Sequence, residues 1–441
     1  MKLIKALVAL LVVAGLVVPA VAIAEDRLSL SGEMRVRAFH VDVDDDSDDD
    51  STDTWANQRL RIAGKIAVAE GVSVTFRTDI TEGTNWGDHS GFGGGPGNPE
   101  RSNGFGSGRG GSQQQWDRAH LDLTMNGYHL RAGQLYFGTF GTFAIDTQDN
   151  GLVFDFNPGM KVEAFFIVDR NNDTSAGYTY PTTTAGGGVP VQTTAQNEHD
   201  GFLYGAGIQP KGDNWSSRLY VAGQNSVLNQ DEDVYAVIAS GKLNLDAINL
   251  FGEVDFFTGD VAEDVLINGV LQDVDAFGTQ VMLEASMAAT DTITVGGQFF
   301  YATGTDKDDE VQYVLLGNGF NGWDPIYDVG TSLSNEEITF PRPFDFTGMS
   351  AGVVGGRLYG SFKLSDALNL GASAAYVSEE EDEFVESDGY QLAAGLTYGI
   401  LENTSIQLQL QYEDMDYQEV GATTDDDYDA FRAGTGIFVK F

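Results

Sequence analysis

The chain alternates apolar and polar side chains through runs too long for an ordinary soluble sheet. Between Leu28 and Val41, Leu28, Leu30, Met34, Val36 and Ala38 fall on one face, with Ser29, Ser31, Glu33, Arg35 and Arg37 on the other. Leu60, Ile62, Ile66 and Val68 alternate in the same way with Arg59, Arg61 and Lys65. Near the end, Ile406, Leu408, Leu410 and Tyr412 alternate with Ser405, Gln407, Gln409 and Gln411. Period two marks a strand whose two faces meet different surroundings. Strands of soluble sandwiches run to about five or six residues. Runs of about ten, closed by turn residues, suit a strand that crosses a bilayer. The pattern predicts an all-β fold: a closed, antiparallel transmembrane β-barrel.

The breaks between runs come in two kinds. Short ones carry turn chemistry: Glu70-Gly71, Asn126-Gly127, Asn157-Pro158-Gly159, Lys211-Gly212-Asp213, Asp246-Ala247, Thr290-Asp291, Ser365-Asp366 and Glu402-Asn403. Asn-Gly and its relatives permit the positive φ that a tight hairpin requires. Long ones are acidic or glycine-rich: Asp44 to Thr54, Thr81 to Gln115, Asn171 to Asp200, Gly259 to Asp275, Gly304 to Ser350, Glu379 to Asp388 and Asp414 to Asp429. Short turns at one end and long loops at the other predict periplasmic turns, extracellular loops and about 18 strands, with 16 as the alternative. The same alternation continues on both sides of the Gly/Asn-rich stretch Gly91 to Gly111, so residues 25–441 read as one barrel domain.

Residues 1–24 read as a secretory signal peptide. Lys2 and Lys5 precede the apolar run Ala6 to Val18, Pro19 ends it, and Ala22-Ile23-Ala24 has the small-x-small form of a cleavage site. A membrane helix is the alternative, since Ala6 to Ala24 carries no charge. No other stretch approaches the roughly 20 apolar residues of a spanning helix. The chain has no cysteine, which suits passage through an oxidising periplasm. Its 66 acidic against 24 basic residues argue against nucleic acid as a partner.

A barrel of this size leaves an aqueous lumen lined by the polar face of every strand. Arginine gathers on that face in the opening strands: Arg35 and Arg37, Arg59 and Arg61, Arg77, Arg118 and Arg131. Arg432 lies on the last strand, which must pair with the first if the barrel closes. Arg35, Arg59, Arg61 and Arg77 sit near mid-strand and are expected at one height on one wall. Glu33, Asp79, Asp122, Glu163, Glu253, Asp255 and Glu284 share the polar face. With the acidic loops at the mouth, they predict weak cation preference. The final strand places Phe431, Ala433, Thr435, Ile437, Val439 and Phe441 on its apolar face. A terminal aromatic there resembles the signal by which outer-membrane barrels address their assembly machinery.

After the fifth strand comes Gly133-Gln134-Leu135-Tyr136-Phe137-Gly138-Thr139-Phe140-Gly141, then Asp146, Asp149 and Gly151. With the arginine-rich opening and Phe441, this run resembles the trimeric porins of Gram-negative outer membranes. The resemblance covers the whole mature chain in layout but only these motifs in residues. It implies a third loop folded into the lumen and Asp146 and Asp149 opposed to the arginine wall. It also implies a homotrimer in contact with membrane lipid and lipopolysaccharide, working as a passive channel for small hydrophilic solutes and ions. Gln134 departs from the arginine many porins carry there and would remove a positive charge near the constriction. About 18 strands, against the 16 of general-diffusion porins, leans towards sugar-specific or amino-acid-specific channels; a channel selective for sugars or small anions is the alternative function.

Other readings carry less. One is a surface barrel whose long loops bind a partner; another is a rim hydrolase resembling the omptins, which would need a nucleophile or an acid–base pair. Asp88-His89 and Glu198-His199-Asp200 are the nearest sequences to one. Gly106-Ser107-Gly108-Arg109-Gly110-Gly111 matches a dinucleotide-binding spacing but does not follow a strand and open a helix. The acidic runs Asp44 to Asp53 and Asp425 to Asp429 lack the glycine and terminal glutamate of an EF-hand loop. They suit diffuse Ca²⁺ or Mg²⁺ bridging to lipopolysaccharide; no cofactor and no catalysis are expected.

Overall fold

The computed structural model describes residues 27–45, 51–85, 115–136, 144–145, 148–157, 159–169, 201–225, 233–267, 270–304, 310–312, 316, 333, 352–380, 385–419 and 426–441. Its strands are β1 (Leu28–Asp45), β2 (Ser51–Ala69), β3 (Val72–Asn85), β4 (Gln115–Met125), β5 (Tyr128–Tyr136), β6 (Gln148–Phe156), β7 (Lys161–Asp169), β8 (Gly201–Gln209), β9 (Trp215–Asn225) and β10 (Asp233–Leu245). They continue as β11 (Ile248–Ile267), β12 (Val270–Ala288), β13 (Ile293–Ala302), β14 (Glu310–Gln312), β15 (Val353–Lys363), β16 (Leu368–Ser378), β17 (Val385–Leu401), β18 (Thr404–Glu419) and β19 (Asp426–Lys440). Each long strand pairs antiparallel with its successor and β19 returns to β1, giving a closed barrel of 18 strands. The larger of the two strand counts is the right one.

β14 is the addition. β13 stops at Ala302, opposite Gln280, and would leave the far end of β12 with a bare edge. β14 lies parallel to that edge, with Asp275 opposite Glu310 and Phe277 opposite Gln312. It supplies ladder partners where an open edge would otherwise stand.

The short turns fall where turn chemistry puts them. Asn126 and Gly127 both have positive φ, 52° and 84°, the backbone of a two-residue hairpin whose twist matches its strands. The long breaks are shorter than the acidic composition suggests. β1 and β2 reach Asp45 and Ser51, β11 and β12 reach Ile267 and Val270, and β18 and β19 reach Glu419 and Asp426. A membrane crossing takes about 9–11 residues, whereas β11 has 20. These hairpins continue their ladders past an apolar band, where water can solvate aspartate without ending the backbone pairing.

Exposed large apolar side chains ring the outside, among them Leu30, Ile66, Val162, Val237, Leu358, Leu392 and Leu408. The final residue closes the ring. Phe441 N donates to Gly32 O at 3.0 Å and Gly32 N returns to Phe441 O at 2.7 Å. A Cβ at Gly32 would lie 2.6 Å from the Phe441 ring, so the glycine makes room for that aromatic.

Candidate functional site

The inward wall carries three chemistries. On β1 to β5 it is the arginine cluster, built by cross-strand register. Arg35 stands opposite Arg59, and Arg77 opposite Arg118. Like charges directly opposite each other repel, and carboxylates are interleaved to offset this. Arg59 Nη2 lies 2.7 Å from Glu33 Oε1. Arg61 donates to Asp79 through Nε at 2.5 Å and Nη2 at 2.7 Å, a two-pronged pair. Arg37 Nε donates to Asn57 Oδ1 at 3.0 Å, and its guanidinium lies 5.3 Å from the Phe39 ring centre.

Arg77 and Arg118 share Asp117, which the sequence reading missed. β4 pairs Arg118 with Arg77 and Trp116 with Thr78, so Asp117 is the extra residue of a bulge. The bulge buries the carboxylate against Arg77 Nε, with Arg118 Nε at 3.5 Å. Arg432 on β19 pairs with Glu413 on β18 at 3.2 Å, and both are buried. Arg131 sits lower, its Nη2 3.8 Å from Glu163 Oε2. The predicted arginines thus share one face over β1 to β5 and β19, as a ladder of alternating charge rather than a purely positive wall. Arg357 on β15, buried with its guanidinium 4.8 Å from the Tyr359 ring centre, extends the set. Its signal was legible in Arg357, Tyr359 and Ser361 alternating with Leu358, Gly360 and Phe362.

The second chemistry corrects an expectation. The lumen is not polar all round. On β6 to β10 the inward residues include Val153, Phe165, Ile167, Leu203, Val234, Ala236 and Ile238, all buried in one cluster. Their outward neighbours Leu152, Phe154, Phe166 and Val237 are exposed. Inward apolar groups lose their water contact only when something covers them. Ala144, Ile145 and Leu316 do so from inside: they belong to the same cluster at 0–1% exposure. Ile145 and Leu316 form a parallel bridge, and Leu316 N donates to Ala144 O at 2.8 Å. On the opposite wall Leu333 is buried; a Cβ at Gly434 would lie 3.8 Å from Leu333 Cβ and 3.2 Å from the Phe39 ring. So Ala144 and Ile145, which follow β5, stand inside the barrel, and Leu316 and Leu333, from between β14 and β15, stand there with them.

Asp146 lies outside the described residues. Asp149 is the second residue of β6, opposite Leu135, rather than part of the loop proper. Gln134 pairs with Ala119, and its Nε2 donates to Trp116 O at 2.5 Å. It is tied to the neighbouring strand, and Leu135 takes the inward position, so no lumen charge was lost at residue 134.

Third come polar groups without arginine. Gln391, Gln407, Gln409 and Gln411 form a buried amide row on β17 and β18. Nine strands round from β2, β11 presents Glu253 and Asp255, both buried, with Gln280 Nε2 donating to Asp255 Oδ2 at 2.6 Å. Glu284 accepts from Gln298 Nε2 at 3.1 Å and from the Tyr359 hydroxyl. In strand order the acidic β11 therefore faces the arginine-bearing β2 across the barrel. Among the described residues, no cluster of His, Asp and Glu is arranged to hold a metal ion.

No protein-family model and no curated protein matches the chain. Solved structures do. Pseudomonas aeruginosa OccK11 (OpdR) aligns over 95% of this chain and 97% of its own at 12% identity, TM-score 0.51. Acinetobacter baumannii OccAB3 aligns over 94% and 100% at 13% identity, TM-score 0.52. Pseudomonas aeruginosa OpdK, solved with vanillate, aligns over 94% and 99% at 11% identity, TM-score 0.52. These are outer-membrane porins. With 18 antiparallel strands, an apolar exterior and inserted segments, the chain has the fold of the Gram-negative outer-membrane porins.

Proposed function

We propose that the protein is a passive outer-membrane porin whose water-filled lumen passes small hydrophilic solutes and ions, not an enzyme. The observation that carries this is a closed barrel with an apolar outside and, inside, a charge ladder beside inserted segments. Such a lumen admits hydrated polar solutes and makes apolar ones displace ordered water; charged side chains at a narrow section set selectivity. Purified protein in a planar bilayer is expected to give ohmic steps in KCl. Absence of any conductance from folded barrel would overturn the reading.

A second reading, a channel selective for small anions, rests on the stack beside the arginines. Phe39 and Trp55 lie 5.4 Å apart with planes 27° from parallel, and Arg37 lies over Phe39. Phe39 and Arg37 are buried, but Trp55 is only half-buried, so a flat ring bearing an acid group would meet its face beside a guanidinium; OpdK was solved with vanillate, a molecule of that kind. Competition of aromatic acids and of sugars against ion current separates the two readings.

The supporting parts of the proposal are export after cleavage near Ala24, a homotrimer and delivery by the barrel assembly machinery. Contact with lipopolysaccharide is supported by the outward rim. Tyr376, Tyr390 and Tyr412 donate to Asp388, Asp414 and Asp429. In register, Asp414, Asp429 and Asp44 stand side by side on three strands. An aromatic belt topped by carboxylates suits a membrane interface where Ca²⁺ or Mg²⁺ bridges to anionic lipid.

A further inference from the structure

At the short-turn end of the lumen, below the apolar cluster, the wall of β5 to β9 holds a recess of about 380 Å³. His129, Arg131, Asp155, Lys161, Glu163 and Arg218 line it. Arg131 is the lowest member of the arginine set of β1 to β5, and the other five stand outside that set. Each carboxylate is already engaged. Asp155 Oδ2 lies 3.0 Å from His129 Nδ1. Glu163, at 1% exposure, accepts from Lys161 Nζ at 2.5 Å and from the Tyr220 hydroxyl at 2.9 Å. Gln209 in turn donates to the Tyr220 hydroxyl, and the Tyr220 ring lies against Gly207, where a Cβ would come within 2.1 Å. Glu163 is therefore held in place from three strands.

The cations are not engaged to the same degree. Arg218 makes no hydrogen bond or ion pair among the described residues. Arg131 Nε is buried without a hydrogen-bond partner, and its nearest carboxylate contact is the 3.8 Å one to Glu163. Lys161 spends one of its three donors on Glu163. Two guanidinium groups and part of an ammonium thus converge from β5, β9 and β7 with donors left over, in a chain of formal charge −42. Two carboxylates, Asp155 and Glu163, stand against three cations, so the recess keeps a positive excess that an anion relieves. Three donor groups on three different strands reach a bound anion from three sides. A tetrahedral oxyanion offers acceptors in all those directions, whereas a carboxylate offers two in one plane.

We infer that this recess is a phosphate-binding subsite at the short-turn end of the lumen, taking inorganic phosphate or the phosphate group of a small ester. Arg131 and Arg218 clamp the oxygens, and Lys161, positioned by Glu163, adds a third contact. The inference rests on the channel reading. It adds a place where one class of anion pauses on its way through.

The test is single-channel recording in KCl with phosphate added from one side at a time. Inorganic phosphate is expected to reduce the current saturably, more strongly from the short-turn side, while acetate at equal charge does not. Arg218→Gln is expected to weaken that block at least tenfold, and Arg218→Lys to retain most of it, which guards against misfolding. Glycerol phosphate blocking as phosphate does would identify an ester group as sufficient; block by inorganic phosphate alone would restrict the site to the free ion. Equal block by acetate, unchanged block in Arg218→Gln, or stronger block from the long-loop side would each overturn the subsite. A barrel that conducts no KCl current at all would fail the channel reading instead, a different outcome from a conducting barrel indifferent to phosphate.

Discussion

Glu413 shows how a lumen residue becomes structural. It accepts from Gln391 Nε2 at 2.6 Å and from Arg432 Nη1, and neither member of the ion pair is exposed by more than 2%. Removing one partner of a buried pair strands the other charge, at a cost of about 3–5 kcal/mol. Glu413→Ala is therefore expected to lower the unfolding free energy in detergent by that amount. Replacing both residues with glutamine should recover most of it, because no charge is then left unpaired. Equal losses in the single and double variants would mean the pair is solvated through the lumen. The sequence placed Arg432 on the inward face by alternation alone. It could not place Glu413 beside it, since that contact depends on cross-strand register, which no local pattern records. Asp117 escaped for a similar reason: a bulge puts it out of phase with its strand.

Elements were easier to read than their contacts. Eight short turns were legible from their turn-forming residues, and at some of them these residues take positive φ, as at Asn126, Gly127 and Asp246. The long ends were misjudged because an acidic stretch looks like loop whether or not its backbone is paired. The apolar inward stripe of β6 to β10 was equally invisible: a strand covered on both faces loses its alternation, as Val162, Phe165, Phe166 and Ile167 do in β7. The inserted segments that cover it come from distant parts of the chain. β19 gives the test at this scale. Phe441, just after it, both hydrogen-bonds to Gly32 and lays its ring over that glycine, so it completes the seam between first and last strands. Phe441→Asp would put a charge at the end of the lipid-facing stripe. The expected result is loss of the compact, heat-modifiable band on gels and retention of the protein in the periplasmic fraction. Normal yield of folded barrel would remove the terminal aromatic as an assembly signal.

For the whole molecule, the question is which of its charges a passing ion feels. A net charge of −42 attracts cations to the mouths, but exposed charges are screened over about 8 Å at physiological salt and about 30 Å at 0.01 M. The rim aspartates Asp44, Asp414 and Asp429 belong to this screened class. Changing all three to asparagine should lower cation over anion permeability in dilute salt and leave it nearly unchanged at 1 M. The ladder behaves differently, because its members are largely buried in the wall and shielded little by mobile ions. There each arginine is offset by a neighbour, so the sign of selectivity rests on a small difference between large opposed charges. Asp79 holds Arg61 in a two-pronged pair; Asp79→Asn frees that guanidinium to act on solutes and should move the reversal potential towards anions at every salt concentration. Neutralising Arg35, Arg59, Arg61 and Arg77 together should move it the other way. If the ladder variants shift the reversal potential only in dilute salt, as the rim variants do, their side chains do not stand at the narrow section, and the inserted residues Ala144, Ile145 and Leu316 narrow the lumen at another level.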